Sequence, residues 1–164
     1  MKSKKKSFAP SRIAAATLLI GMAFNSVVSA GPQQDSNVKT AIAFTKAMEE
    51  QNVTLASSFL AEGYIQHNPN VPTGKAGYIK FFSNLWKDGP HPAEAALDNP
   101  PVLTVANDNK VVFVFKNVRP DPAAPGKTYD QFSFDAYRFS NGKIIEHWDG
   151  YPKMAPSGAK SGAK

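Results

Sequence analysis

The sequence predicts an α+β domain in which helices gather on one face of an antiparallel sheet. Three observations carry this. Between Asp35 and Asp88 three stretches show helical spacing or helix-capping signals. From Pro101 onward the chain turns to β-type alternation, with the run Val111-Val112-Phe113-Val114-Phe115 at its centre. Finally, Asn141-Gly142 stands between two alternating runs, a strong hairpin signal because both residues tolerate positive φ.

Residues 1–30 are set apart from this domain. Lys2, Lys4, Lys5, Lys6 and Arg12 precede a short apolar run from Ile13 to Phe24, and Val28-Ser29-Ala30 supplies small residues before Gly31. This is the pattern of a secretory signal peptide, with an uncleaved membrane anchor as the alternative. The segment holds five of the nineteen basic residues and none of the thirteen acids, so the rest of the chain carries fourteen against thirteen, a net charge of +1. The basic character thus belongs to the leader, and the domain offers no electrostatic footprint for nucleic acid. About 134 residues remain, enough for one core. With no cysteine, thiolate metal sites and cysteine nucleophiles are excluded.

The first helix is expected from Asp35 to about Gln51, capped by Asp35 or Ser36, with Val38, Ile42, Thr45 and Met48 as its apolar stripe. Asn52 is placed to cap a second helix carrying Leu55, Phe59 and Leu60 and ending near Glu62-Gly63. Tyr64 to Pro72 follows as an irregular segment, since Pro69 and Pro72 oppose a regular helix; His67 and Asn68 there either serve a pocket or satisfy the turn. A third helix, Lys75 to about Lys87, is apolar around most of its girth through Tyr78, Ile79, Phe81, Phe82, Leu85 and Trp86 and is expected to be buried, closing a pocket. His91, between two prolines, is a surface residue. Strands are expected at Val102 to Ala106 and Lys110 to Arg119, and residues 154–164 form a disordered tail.

The hairpin from Tyr129 to Tyr151 holds most of the candidate chemistry. A two-residue turn at Asn141-Gly142 puts Ser140 opposite Lys143 and Asp135 opposite Trp148. A three-residue loop puts Phe139 opposite Lys143 and Asp135 opposite His147. The sorting of faces favours the second: Ser133, Asp135, Tyr137, Ile145, His147 and Asp149 then line one side, and Phe132, Phe134, Ile144 and Trp148 the other. Arg138 and Glu146 come close enough for an ion pair. The bland reading is that Asp135 and His147 merely satisfy each other. No glycine-rich phosphate loop, Gly-x-Ser-x-Gly or His-Glu-x-x-His is present.

The segment YIQHNPNVPTGKAGYIKFF, followed by FDAYRFSNGKIIEHWDGY, resembles the SnoaL-like polyketide cyclase family of the nuclear transport factor 2-like superfamily over about residues 31–153. That resemblance implies a conical barrel, three N-terminal helices packed on a curved antiparallel sheet of about four to six strands around an apolar pocket. It also implies a cofactor-free acid/base enzyme, an aldol cyclase, isomerase or dehydratase acting on a small apolar or carbonyl-containing molecule. Asp149 matches the family's acid/base aspartate; His147 and His67 are then its partners, with Asp135 orienting His147. Asn68, Tyr137, Tyr64, Phe82 and Trp86 are the candidate substrate contacts. No cofactor or metal is expected, a site of His67, His147, Asp135 and Asp149 being the minor alternative. The rival is a non-catalytic exported binding domain, or one that pairs as a homodimer through Phe132, Phe134 and Trp148.

Overall fold

The computed structural model describes residues 31–92 and 96–154, so the expected signal peptide over residues 1–30 and the expected tail from residue 155 lie outside the described residues. The elements are α1 (Pro32–Glu49), α2 (Val53–Ser58), β1 (Leu60–Gln66), α3 (Lys75–Leu85), β2 (Leu103–Asn107), β3 (Lys110–Pro120), β4 (Thr128–Ser140) and β5 (Lys143–Asp149). Three helices pack on a five-stranded sheet of order β1-β5-β4-β3-β2. The sheet is mixed rather than wholly antiparallel, because β1 runs parallel to β5. It is also open: β1 and β2 are its edges and do not pair.

Helix α1 begins earlier than its cap residues suggested. Pro32 occupies the first turn, where its missing N–H is no loss, and the Gln34 side chain accepts from the Gly31 N–H at 2.7 Å. The buried stripe is Asn37, Ala41, Phe44 and Ala47, one position away from the expected one, and Ile42 is exposed. Two alanines on that stripe let the helix backbone approach the sheet closely, which a stripe of Val38 and Ile42 would not. Asn52 caps α2 as expected, accepting from the Leu55 N–H at 3.0 Å.

The second helix stops at Ser58, and the residues expected to continue it form a strand instead. Leu60 and Tyr64 are each 1% exposed in β1, and the strand continues past its end through His67 N–H donating to His147 O at 3.0 Å. Pairing beside β5 satisfies backbone groups that a frayed helix would leave open, and it outweighs the local pattern. The irregular segment shrinks to residues 67–74, where the Thr73 hydroxyl oxygen accepts from Gln66 N–H at 3.0 Å and Gly74 N–H donates to Tyr64 O at 2.7 Å.

Helix α3 buries only Tyr78 and Phe82 fully; Leu85 and Ile79 are exposed, correcting the expectation of burial around its girth. A helix lying over an open cavity has apolar residues facing that cavity as well as the core. The core itself is aromatic, with Phe44 and Phe113 meeting Tyr137 edge-on at 5.8 and 6.0 Å between ring centroids.

The hairpin register follows neither expected form throughout. The turn has two residues, Asn141 (φ 50) and Gly142 (φ 71), so Ser140 faces Lys143 and Phe139 faces Ile144. A β-bulge then shifts the pairing, giving Arg138 opposite Glu146, Tyr137 opposite His147 and Asp135 opposite Asp149. The extra residue is Ile145. Consequently Asp135, Tyr137, His147 and Asp149 share one face as expected, while Ile144, not Ile145, is buried on it.

Candidate active site

A cavity of about 430 Å³ lies between α1, α3 and the inner face of the sheet. Its wall is mainly apolar and aromatic, from Phe44, Met48, Tyr78, Phe81, Phe82 and Leu85, and its polar groups converge from three strands. Asp135 comes from β4, His147 and Asp149 from β5, and Gln66 from the end of β1; Asn68 reaches in from the loop that follows.

These groups form one connected network. His147 Nε2 lies 3.1 Å from Asp135 Oδ1, and His147 Nδ1 lies 3.0 Å from Gln66 Oε1. Gln66 Nε2 donates to the Tyr64 hydroxyl at 2.9 Å. Asp149 Oδ2 accepts from Asn68 Nδ2 at 2.8 Å, and its Oδ1 accepts from Tyr151 N–H at 3.1 Å. One ligand-type atom from each of Asp135, His147 and Asp149 lies within 4.8 Å of the others. The His147 ring is buried and stacks on Tyr137, with centroids 5.0 Å apart and 17° between planes.

Burial sets the state of the phenols. Tyr64 is pushed well above the ordinary tyrosine range first by desolvation and then by Tyr78, Asp149 and Asp135. Desolvation likewise raises Tyr78 and Tyr137. Each phenol therefore stays neutral and able to donate. The Thr45 hydroxyl, also on the cavity wall, is buried and has no partner at hydrogen-bonding geometry among the described residues, although it partly offsets the rise at Tyr137.

Of the residues expected from sequence, Asp135, His147, Asp149, Asn68, Tyr137, Tyr64 and Phe82 line this cavity. His67 and Trp86 do not. His67 turns to the opposite sheet face, where it stacks on Trp148 at 5.0 Å with 3° between planes and meets Glu146 Oε1 at 2.7 Å. The cause is strand alternation: His67 follows Gln66 on the extension of β1, so when one faces the cavity the other faces away. Trp86 packs on Phe82 instead, ring centroids 4.4 Å apart. Glu146 also accepts from Arg138 Nε at 2.6 Å, as the expected ion pair. Its carboxyl is held below the usual range chiefly by the His67 hydrogen bond, and by Arg138, against the opposing effect of burial.

Sequence reasoning missed Gln66, Thr45 and Asn70. Gln66 was hidden by the assignment of its stretch to an irregular loop. Asn70 clips the C-terminal segment: its Nδ2 donates to Pro152 O at 2.9 Å and its Oδ1 accepts from Met154 N–H at 2.8 Å. That clip brings Tyr151 and Met154 to the cavity.

The family model of the SnoaL-like domain matches residues 41–147. No functionally curated protein matches the sequence. Among solved structures, a protein from Jannaschia sp. CCS1 assigned as a SnoaL-like polyketide cyclase is similar at 16% identity and a TM-score of 0.53, covering 74% of this chain and 89% of its own. Bal32a, from a soil-derived mobile gene cassette, is similar at 14% identity and a TM-score of 0.50, covering 72% and 90%. An uncharacterised cystatin-fold protein from Novosphingobium aromaticivorans is similar at 17% identity and a TM-score of 0.50, covering 70% and 97%. At these identities the likeness concerns the fold.

Proposed function

Because the chain belongs to the SnoaL-like domain family, we propose that it is a cofactor-free acid/base enzyme acting on a small, largely apolar molecule that carries a carbonyl group. The observation that carries this reading is the convergence of Asp135, His147 and Asp149 within 4.8 Å in the wall of an otherwise aromatic cavity. Proton removal next to a carbonyl needs a base on one side and hydrogen-bond donors for the oxygen that becomes negative. Asp149 takes the proton from the α-carbon, the C–H electron pair becomes the enolate double bond, and the charge moves to oxygen. The neutral Tyr64 and Thr45 hydroxyls are available donors there, and the His147–Asp135 pair is the proton reserve beside them. The same first step serves aldol cyclisation, isomerisation and dehydration.

The test is exchange of α-protons for solvent deuterium in a panel of aromatic ketones, followed by NMR. Catalysed exchange is expected with the unaltered chain and a loss of roughly a hundredfold or more in Asp149→Asn. Equal exchange by the variant would remove Asp149 from the mechanism. Binding of panel members without any exchange would favour the rival, a non-catalytic ligand-binding domain.

Two further parts of the proposal rest on other residues. Export is supported by the basic, apolar and small-residue order of residues 1–30 and is checked by the mass of the protein recovered outside the cytoplasm. A homodimer is supported by Phe132 and Phe134, 61% and 45% exposed on the outer sheet face. Among the described residues, no helix is long and apolar enough to cross a membrane.

A further inference from the structure

We infer that Gln66 is a positioning residue: it holds a proton on Nδ1 of His147, so that a second proton is shared between His147 Nε2 and Asp135. The inference deepens the acid/base reading above and rests on it only for its catalytic meaning. The physical basis starts at the backbone. Asn68 N–H donates to Gln66 Oε1 at 3.0 Å, so that amide oxygen cannot be exchanged for the NH₂ group without setting donor against donor. The oxygen so oriented also faces His147 Nδ1 at 3.0 Å, and an oxygen that can only accept requires Nδ1 to carry a proton. The amide NH₂ on the other side is already directed at the Tyr64 hydroxyl.

With Nδ1 protonated, a neutral ring would present the Nε2 lone pair to Asp135 Oδ1 only 3.1 Å away. Two lone pairs at that distance repel, so a proton lies between them. The network therefore holds two protons at the ring, one on Nδ1 and one in the Nε2–Asp135 contact. An independent feature leads to the same state. The bulged register sets Asp135 directly opposite Asp149, and like charges facing across a ladder are unfavourable. A cationic ring beside both carboxylates offsets that repulsion. Among the described residues, the other titratable side chains lining the same cavity are Tyr64 from β1, Tyr78 from α3, Tyr137 from β4 and Tyr151 from the C-terminal segment, and none of them supplies positive charge.

Both ring nitrogens of His147 are then engaged, which bars His147 from acting as the free base and leaves that role to Asp149. His147 with Asp135 is instead the proton-loaded side of the site. Gln66 touches no reacting atom in this scheme and acts through the ring.

The experiment is the ¹H–¹⁵N long-range correlation spectrum of the histidine rings near neutral pH, in the chain without ligand and in Gln66→Leu. Signals are assigned by comparison with His67→Gln and His91→Gln, which together identify two of the three histidines and leave His147. Two protonated nitrogens on His147 are expected in the unaltered chain. Gln66→Leu is expected to lose the Nδ1 proton from most of the population, leaving a neutral ring protonated on Nε2. An unprotonated Nδ1 in the unaltered chain, or a Gln66→Leu ring identical to it, would overturn the inference. So would an Nε2 that carries no proton in the unaltered chain and whose signal shifts when Zn²⁺ is added, since the cluster would then be a cation site that binds the metal through that lone pair. If Gln66→Leu fails to fold, the unaltered spectrum decides alone. The measurement needs no substrate, so two protonated nitrogens together with full deuterium exchange in Asp149→Asn would sink the proposed base while leaving the role of Gln66 standing.

Discussion

At the scale of single residues, the site is held by hydrogen bonds whose direction matters as much as their presence. Asp149 shows this. In Asp149→Asn the new amide oxygen can still accept from Tyr151 N–H, but the new NH₂ group then meets the NH₂ of Asn68. Asn68 cannot turn over to help, because its Oδ1 already accepts from Asn70 N–H at 2.9 Å. Asp149→Asn is therefore expected to cost about 1–3 kcal/mol in urea unfolding, and adding Asn68→Asp should recover most of it by restoring a donor–acceptor pair. No recovery in the double variant would mean that the two side chains do not act together. On the outer face, Glu146 has a carboxyl held below its ordinary 4.5. A carboxyl depressed in the folded state stabilises above its unfolded value and loses that contribution as pH falls through the lower, folded value. Glu146→Gln is thus expected to be less stable than the parent at pH 6 and to close the gap as pH drops below about 4, as read from thermal unfolding across pH. These residue types were visible in the sequence, and Asp135, His147 and Asp149 were found there. His67 was visible too, yet the strand direction that turns it to the opposite sheet face was not.

At the scale of elements, the bulge at Ile145 decides what the last hairpin can do. Were Ile145 paired rather than bulged out, the two-residue turn would carry through the ladder, Asp135 would face Trp148, and His147 and Asp149 would leave the cavity face. Deleting Ile145 removes the extra residue while keeping Arg138 opposite Glu146, Tyr137 opposite His147 and Asp135 opposite Asp149, so the variant is expected to fold with the same face in the cavity and to melt close to the parent; a deletion variant that fails to fold would show that the bulged backbone itself is required. The turn residues themselves were legible, because Asn141 and Gly142 both take positive φ. A bulge has no comparable local signature, since Ile144 and Ile145 are the same residue type and only packing chooses which one is buried. The same limit applies to β1. Its sequence, Leu60-Ala61-Glu62-Gly63-Tyr64-Ile65-Gln66, has weak alternation, and its strand state comes from a parallel partner some eighty residues away.

At the scale of the whole molecule, three helices cover one face of the sheet and leave the other with Phe132, Phe134 and Val118 in solvent. If that face pairs with a second copy, Phe132→Lys combined with Phe134→Lys should lower the mass seen by sedimentation to that of one chain, while a parent already monomeric would remove the dimer from the proposal. The sequence alone determined the three helices and the strands from β2 onward, the place of the turn at residues 141–142 though not its two-residue form, the family resemblance and the candidate pair of acids around His147, because each is written in local pattern or residue type. Only the tertiary structure decided that the sheet is open and mixed, that Gln66 rather than His67 enters the cavity, and that Asp135 stands opposite Asp149. Those features follow from which backbones pair and where one extra residue is accommodated. That choice is made by burying Leu60, Tyr64 and Ile144 together, an energy that exists only once distant segments are in contact.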